Sequence, residues 1–242
     1  MTTPSCVPRP IWACVWDLDG TLLDTETLST EAIQAVLDRF EKTIEWDVKK
    51  TLLGLPGSIW PQMVVDAYGL GGRLDPRDLH EEWQQNLLRT NHRVTKMDGA
   101  LEAVTRLYEL NVPMAIATSS NAAGVSIKSV HNQDIFQKMR VVVTGDDPAV
   151  AGRGKPEPDI FLEAARRLGV APETNSCVLC FEDSLSGAEA ALRAGMHCIC
   201  VPDPRLDREP FRRLLARHEG RGDICRSLQE VDWASFEFRQ ES

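Results

Sequence analysis

The residues with the clearest chemical potential lie in one stretch, VWDLDGTLLDTE, Val15 to Glu26. An apolar run, Ile11 to Trp16, reads as a buried strand that delivers Asp17 and Asp19 two residues apart. Side chains alternate along a strand, so an i, i+2 pair at its end can face one cleft. With no Lys or Arg in the stretch, the two carboxylates repel each other. A bound cation, or a proton held on one of them, would offset that. Gly20 and Thr21 then turn the chain; acidic turns after strands also occur for structural reasons alone.

Three further polar clusters follow: Thr118-Ser119-Ser120-Asn121, Lys155 within Gly152 to Pro158 (GRGKPEP), and Glu182-Asp183-Ser184. Singly, each has an ordinary reading. TSSN and EDS suit helix caps, and a loop Lys is commonly solvated. Jointly they supply carboxylates, one Lys, hydroxyls and helix-start amides. Carboxylate oxygens without clustered His or Cys suit a hard cation, Mg²⁺ rather than zinc, and Mg²⁺ with few protein ligands leaves room for a phosphate oxygen. Amides at helix N-termini, a hydroxyl and a Lys complete an anion site. A carboxylate can attack phosphorus, and a second can act as acid and base.

The elements that must position these groups alternate. Strands are expected at Val112 to Ala117, Arg140 to Thr144, Ser176 to Phe181 and His197 to Val201. Helices are expected at Ala100 to Leu110, Ala122 to Val130, Pro158 to Leu168 and Ser184 to Ala194. That rhythm predicts a parallel sheet covered by helices, with ligands bound outside the carboxyl ends of its strands. The four clusters all fall at such ends or in the loop that opens a helix. Between the first strand and the rest lies a block with helical patterning and no strand, at Thr30 to Phe40, Trp46 to Leu53, Ser58 to Tyr68 and Pro76 to Arg89. It reads as an insertion and a lid. The domains expected are core 1–24, helical cap 25–95 and core 96–242. Phe211 to Arg217 and Ser227 to Val231 read as helices, and the tail as polar.

The chain has 242 residues, 43% hydrophobic and 26% charged, the balance of a globular protein that buries a proper core. A net charge of −9 argues against a nucleic-acid partner, which needs a basic face, and leaves positive potential to be supplied locally. Seven cysteines, Cys6, Cys14, Cys177, Cys180, Cys198, Cys200 and Cys225, sit mostly among apolar residues, as core fillers do. Residues 1–10, with three prolines, read as a loose leader with no secretory signal. No apolar run approaches the roughly 18 residues of a membrane helix. A reduced, cytoplasmic monomer is expected.

The order DxDGT, a strand ending in Thr/Ser, GKP, then EDS resembles the haloacid dehalogenase superfamily, in the branch with a helical cap inserted after the first motif. The likeness runs through LLDTE (22–26), WDVKK (46–50), ATSS (117–120), GDDPAV (145–150), GKPEPDIF (154–161), FEDSLSGAEAALRAGM (181–196) and VPD (201–203). It implies an α/β fold, a Rossmann-like doubly wound parallel sheet with an all-helical cap, and an Mg²⁺-dependent phosphatase of a small phosphate ester. Asp17 would be the nucleophile. Asp19 would protonate the leaving alkoxide and then activate water. Asp17, the Asp19 carbonyl and Asp183 would hold Mg²⁺, with Glu182 close by or contributing. Thr118 and Lys155 would bind the phosphoryl group, with amides around Leu18, Asp19 and Ser119, and with Ser120 and Asn121 assisting. Lys96-Met97-Asp98-Gly99 departs from the resemblance, which carries Pro before the Gly; the departure touches the return hinge more than the chemistry.

Within that likeness, Asp19 favours phosphate esters over carbon–halogen substrates, because an alkoxide needs an acid to leave. A sugar or nucleotide-like monophosphate such as pseudouridine 5'-phosphate is the first expectation. Glycerol phosphate, deoxyglucose phosphate and a sugar phosphomutase remain open, as does a non-catalytic binding role. Gly54 to Gln62, with Trp60, is the candidate segment for reading the leaving group, unless Trp60 serves the cap core. Cys177/Cys180 with Cys198/Cys200 lie in apolar strands, where a zinc knuckle would need turns.

Overall fold

The structure, a computed structural model, describes residues 8–55 and 57–239. Most of the expected leader, with Cys6, lies outside the described residues, as does Pro56 of the expected 54–57 loop. The chain divides into two compact units, Met1–Leu23 with Lys96–Ser242, and Asp24–Thr95.

In chain order the elements are β1 (Arg9–Ile11), β2 (Ala13–Trp16), β3 (Leu23–Asp24), α1 (Thr25–Leu37), α2 (Trp46–Leu52), α3 (Trp60–Ala67), α4 (Pro76–Thr90), β4 (Thr95–Lys96), α5 (Ala100–Glu109), β5 (Met114–Ala117), α6 (Ala122–Val130), α7 (Gln133–Phe136), β6 (Val141–Val143), α8 (Asp159–Arg167), β7 (Val178–Glu182), α9 (Leu185–Arg193), β8 (His197–Cys200), α10 (Glu209–Arg217), β9 (Gly222–Ile224) and β10 (Phe236–Phe238). Six strands form one parallel sheet in the order β6-β5-β2-β7-β8-β9. The chain steps outward from β2 through β5 to β6, crosses to the other side of β2, and steps outward again through β7, β8 and β9. This is the doubly wound, Rossmann-like arrangement, with its switch point between β2 and β7.

β2, β5, β7 and β8 are buried along their whole length. Strands covered on both faces are apolar runs rather than alternating ones, which explains IWACVW, VPMAIA and CVLCF. On one face Val15, Ala115, Val143, Cys180 and Cys198 pack with Phe161, Ala188 and Leu214 of α8, α9 and α10. On the other, Trp16 stacks on Phe181 with ring centroids 3.8 Å apart, and Trp233 closes against Phe181.

Several expectations are corrected. The single strand Ile11 to Trp16 is two, because the chain changes sheets at Trp12: β1 pairs with β10, and β2 enters the main sheet. Ser227 to Val231 is one short 3-10 turn at Leu228–Glu230. β9 (GDI) lies between the two expected helices, Phe211 to Arg217 and Ser227 to Val231, and β10 (FEF) in the polar tail; each is only three residues long and is fixed by pairing, to β8 and β1. The helical block is bounded by β3 and β4, two residues each, which pair with one another where the chain passes from one unit to the other and back. Among the described residues no helix is long and apolar enough to cross a membrane.

The unit Asp24–Thr95 has its own core, built from Ile33, Val36, Leu37, Trp60, Val64 and Leu79. Trp60 is buried there and packs on Trp83 at 5.2 Å, so it serves this core. Lys49 is also buried, 2.8 Å from Glu26 Oε2.

Two glycines in the larger unit are demanded by carboxylates. Gly20 holds a φ of +87°, and a Cβ there would collide with the Asp183 carboxylate. A Cβ on Gly187, in the first turn of α9, would overlap the Glu182 carboxylate. In an open helix Gly→Ala gains about 1 kcal/mol. Here Gly187→Ala is expected to do the reverse and lower the thermal midpoint by at least about 2–4 °C, the shift of a 1 kcal/mol loss in a chain of this size. Thermal denaturation followed by circular dichroism checks the sign.

Candidate active site

The site forms where β2, β5 and β7 end. Asp17 follows β2, and its N–H donates to Phe181 O across the switch point at 2.9 Å. Gly20 N–H then donates to Leu23 O at 2.8 Å, and Leu18 O accepts from Leu22 and Leu23, so the DxDGT turn closes on itself. Leu18 is buried, and Asp19 is half-buried.

Asp17 is only 6% exposed. Lys155 Nζ donates to Asp17 Oδ1 at 2.5 Å and to Glu182 Oε1 at 2.6 Å, bridging two strand ends. Glu182 is wholly buried, and its other oxygen accepts from Ser184 N–H at 3.0 Å and Ser184 Oγ–H at 2.9 Å. Both Glu182 oxygens are thus engaged by Lys155 and Ser184. Burial pushes the Asp17 carboxyl up to about 7; Lys155 opposes the shift, and Glu182 and Asp19 reinforce it. Burial by itself would push the Lys155 ammonium down, but Asp17 and Glu182 outweigh it and hold it above the ordinary lysine value.

Lys155 reaches the site from a loop tied down at several points. Arg193 of α9 donates to Pro156 O at 3.1 Å and pairs with Glu157 at 2.8 Å. The Lys155 ammonium also lies 5.0 Å from the Phe161 ring centroid, a cation–π contact that favours its charged form.

Thr118 follows β5 and is 1% exposed. Its N–H donates to Val143 O at 3.1 Å, and its hydroxyl to Asp19 Oδ2 at 3.3 Å. Ser120 Oγ–H donates to the same oxygen at 2.7 Å. Ser119 is exposed. Asn121 caps α6, its Oδ1 accepting from Gly124 N–H at 2.8 Å. The neighbouring GDD turn braces this loop. Gly145 N–H donates to Ser120 O at 2.9 Å, and a Cβ on Gly145 would strike Ser119 O. Asp146 accepts from Thr144 Oγ–H at 2.7 Å and Ala122 N–H at 2.9 Å, contacts that hold its carboxyl below the usual range.

A family model matches most of the chain. Residues 14–201 match the model described as haloacid dehalogenase-like hydrolase. The chain belongs to the haloacid dehalogenase-like hydrolases. It is 38% identical over 213 residues to (DL)-glycerol-3-phosphatase 2 of Arabidopsis thaliana, covering 86% of this chain and 87% of that one. It is 37% identical over 203 residues to the protein of Drosophila melanogaster named probable pseudouridine-5'-phosphatase, covering 84% and 87%. A crystal structure of a HAD family hydrolase from Deinococcus radiodurans R1 shares the fold, with a TM-score of 0.73 at 23% identity over 93% of this chain and 95% of that one. With family and relatives agreeing over most of its length, this haloacid dehalogenase-like protein is a phosphoric monoester hydrolase.

The turn also brings a second strand's carboxylate close. The absent Cβ of Gly20 admits the Asp183 carboxylate to the loop that holds Asp17. No cluster of three or more His, Cys, Asp or Glu fit for a metal ion occurs among the described residues. A hard ion here would therefore complete its shell with a backbone carbonyl, water and substrate oxygens, which is the manner of Mg²⁺.

One contributor escaped the motif reading. Lys128 of α6 donates to Asp19 Oδ1 at 2.5 Å and to Ser120 Oγ at 2.8 Å. A lysine on a helix reads as solvated. Spacing gave no signal: Lys128 lies in the last turn of α6, whereas Ser120 precedes the Asn121 cap and is not part of the helix.

Lys155→Ala is expected to destabilise the fold by about 3–5 kcal/mol, because it leaves Asp17 and Glu182 buried without their cation. Arg39→Ala, which removes an exposed pair with Glu82, should cost at most about 1 kcal/mol. Urea unfolding of both variants checks the contrast.

Proposed function

We propose that this chain hydrolyses a small phosphorylated metabolite through an aspartyl-phosphate on Asp17. The observation that carries the reading is a buried carboxylate at the switch point, bonded to a buried lysine and flanked by Thr118, Asp19 and Asp183. Asp17 attacks phosphorus, the bond from phosphorus to the leaving oxygen breaks, and Asp19 gives that oxygen a proton. Water then yields a proton to Asp19 and attacks phosphorus; the bond to Asp17 breaks, and inorganic phosphate leaves.

Lys155 acts in two ways. Its charge offsets the cost of a buried, ionised Asp17, and an ammonium with three donors keeps one for a phosphoryl oxygen after binding Asp17 and Glu182. Glu182 positions that lysine. Thr118 and the amides of the loop that starts α6 receive the remaining oxygens. The carboxylates of Asp17 and Asp183 and the carbonyl of Asp19 would hold Mg²⁺, which would supply positive charge to offset that of the phosphoryl oxygens.

The substrate proposed first is a nucleotide-like sugar monophosphate such as pseudouridine 5'-phosphate, with glycerol 3-phosphate next. The names of the Drosophila and Arabidopsis relatives support this order of trial. Release of inorganic phosphate from a panel of such esters, with Mg²⁺ and with EDTA, is the test. Release from at least one ester, abolished by EDTA, is expected; an isomerised sugar phosphate in place of inorganic phosphate would identify a mutase instead. Asp17→Asn should lose on the order of 10³-fold or more in kcat while remaining folded by circular dichroism. Activity retained in that variant sinks the proposal. Mg²⁺ should raise the thermal midpoint of the unaltered protein by mass action, and Asp183→Asn should abolish that rise.

A further inference from the structure

Lys128 lies outside every motif that suggested the site, yet it touches the group proposed as acid and base. Three donors converge on the Asp19 carboxylate: Lys128 Nζ on Oδ1, and Ser120 Oγ and Thr118 Oγ1 on Oδ2. The lysine also donates to Ser120 Oγ, closing a ring of Lys128, Ser120 and Asp19. Its side chain is 16% exposed and that of Asp19 25%, so water competes weakly for the contact. Helical side chains lean toward the N-terminus. A lysine in the last turn of α6 is therefore directed back along the helix to the loop that precedes it. Asn132 Nδ2 donates to Lys128 O at 2.9 Å and anchors the lysine's backbone.

A carboxylate at the end of a two-bond side chain has two free rotations. An acid that must meet a leaving oxygen on one face of the phosphorus loses rate when it samples other rotamers. We propose that Lys128 is a positioning residue of this site: with Ser120, it holds Asp19 in the rotamer from which the leaving oxygen is protonated. The inference rests on the phosphatase reading, and it goes beyond that reading by assigning a role to a residue on the helix surface.

The two ways a cation can help here differ in their dependence on the leaving group. An alkoxide must be protonated as it departs, whereas 4-nitrophenolate leaves without help. A lysine that acts through Asp19 therefore matters for an alkyl ester and little for the aryl one. A lysine that binds the phosphoryl group matters equally for both.

The experiment compares kcat/KM, which reports the first chemical step, for glycerol 3-phosphate (or whichever alkyl ester the unaltered protein turns over) and for 4-nitrophenyl phosphate. Lys128→Met should reduce the alkyl value about 10- to 100-fold more than the aryl value, within the range a positioned general acid contributes. Lys128→Arg should recover part of the loss. In an Asp19→Asn background, Lys128→Met should cost nothing further, since both changes remove the same function. Equal losses on both esters, no loss on either, or full additivity with Asp19→Asn would overturn the role given to Lys128. Should Lys128→Met fail to fold, judged by circular dichroism, Lys128→Gln carries the same comparison. Failure of the unaltered protein to release phosphate from any ester would instead overturn the phosphatase reading, and this role with it.

Discussion

Four carboxylates crowd the carboxyl edge of one parallel sheet, and the site is organised by what holds them there. Asp17 and Asp19 come from β2's end, and Glu182 and Asp183 from β7's. Water screens little at this depth, so like charges so close together would drive the strands' ends apart unless cations stand between them. Lys155 takes Asp17 and Glu182. Lys128 takes Asp19. Each lysine arrives from a segment remote in sequence, one from the loop before α8 and one from the far end of α6. The charge balance of the site is thus a constraint on the whole larger unit.

The same crowding dictates residues with no charge at all. Gly20 and Gly187 stand where a methyl group would overlap Asp183 and Glu182. Around them, Arg193 fastens the loop of Lys155, and Asp146 fastens the start of α6. These contacts come from outside the four motifs, and they restrict the loops on which the motif residues sit. Chemistry that depends on orientation gains from such support, because a misplaced group loses rate steeply.

Much of this was legible along the chain. The apolar runs around Val15, Ile116 and Leu179 carry the length and burial of parallel strands, and the polar residues that end each run mark the edge where ligands bind. The glycine-rich and proline-rich loops and the caps at Asn121 and Ser184 announce helix starts. β9 and β10 were not legible, since three-residue strands such as GDI and FEF carry almost no periodic signal. The break at Trp12 was hidden for a different reason: a strand that changes partner in mid-run keeps its apolar pattern on both sides of the break.

By itself, the order of residues determined which chemical groups end the strands and the α/β class, because both follow from local pattern: side-chain type, apolar period and turn residues. Only the tertiary structure decided how charge is shared among those groups. That Glu182 faces Lys155, that Trp60 lines the helical unit's core, and that Lys128 answers Asp19 across 109 positions depend on distances between segments far apart in the chain. Coulomb and hydrogen-bond energies turn on those distances at the scale of an ångström, and no spacing along the sequence encodes them.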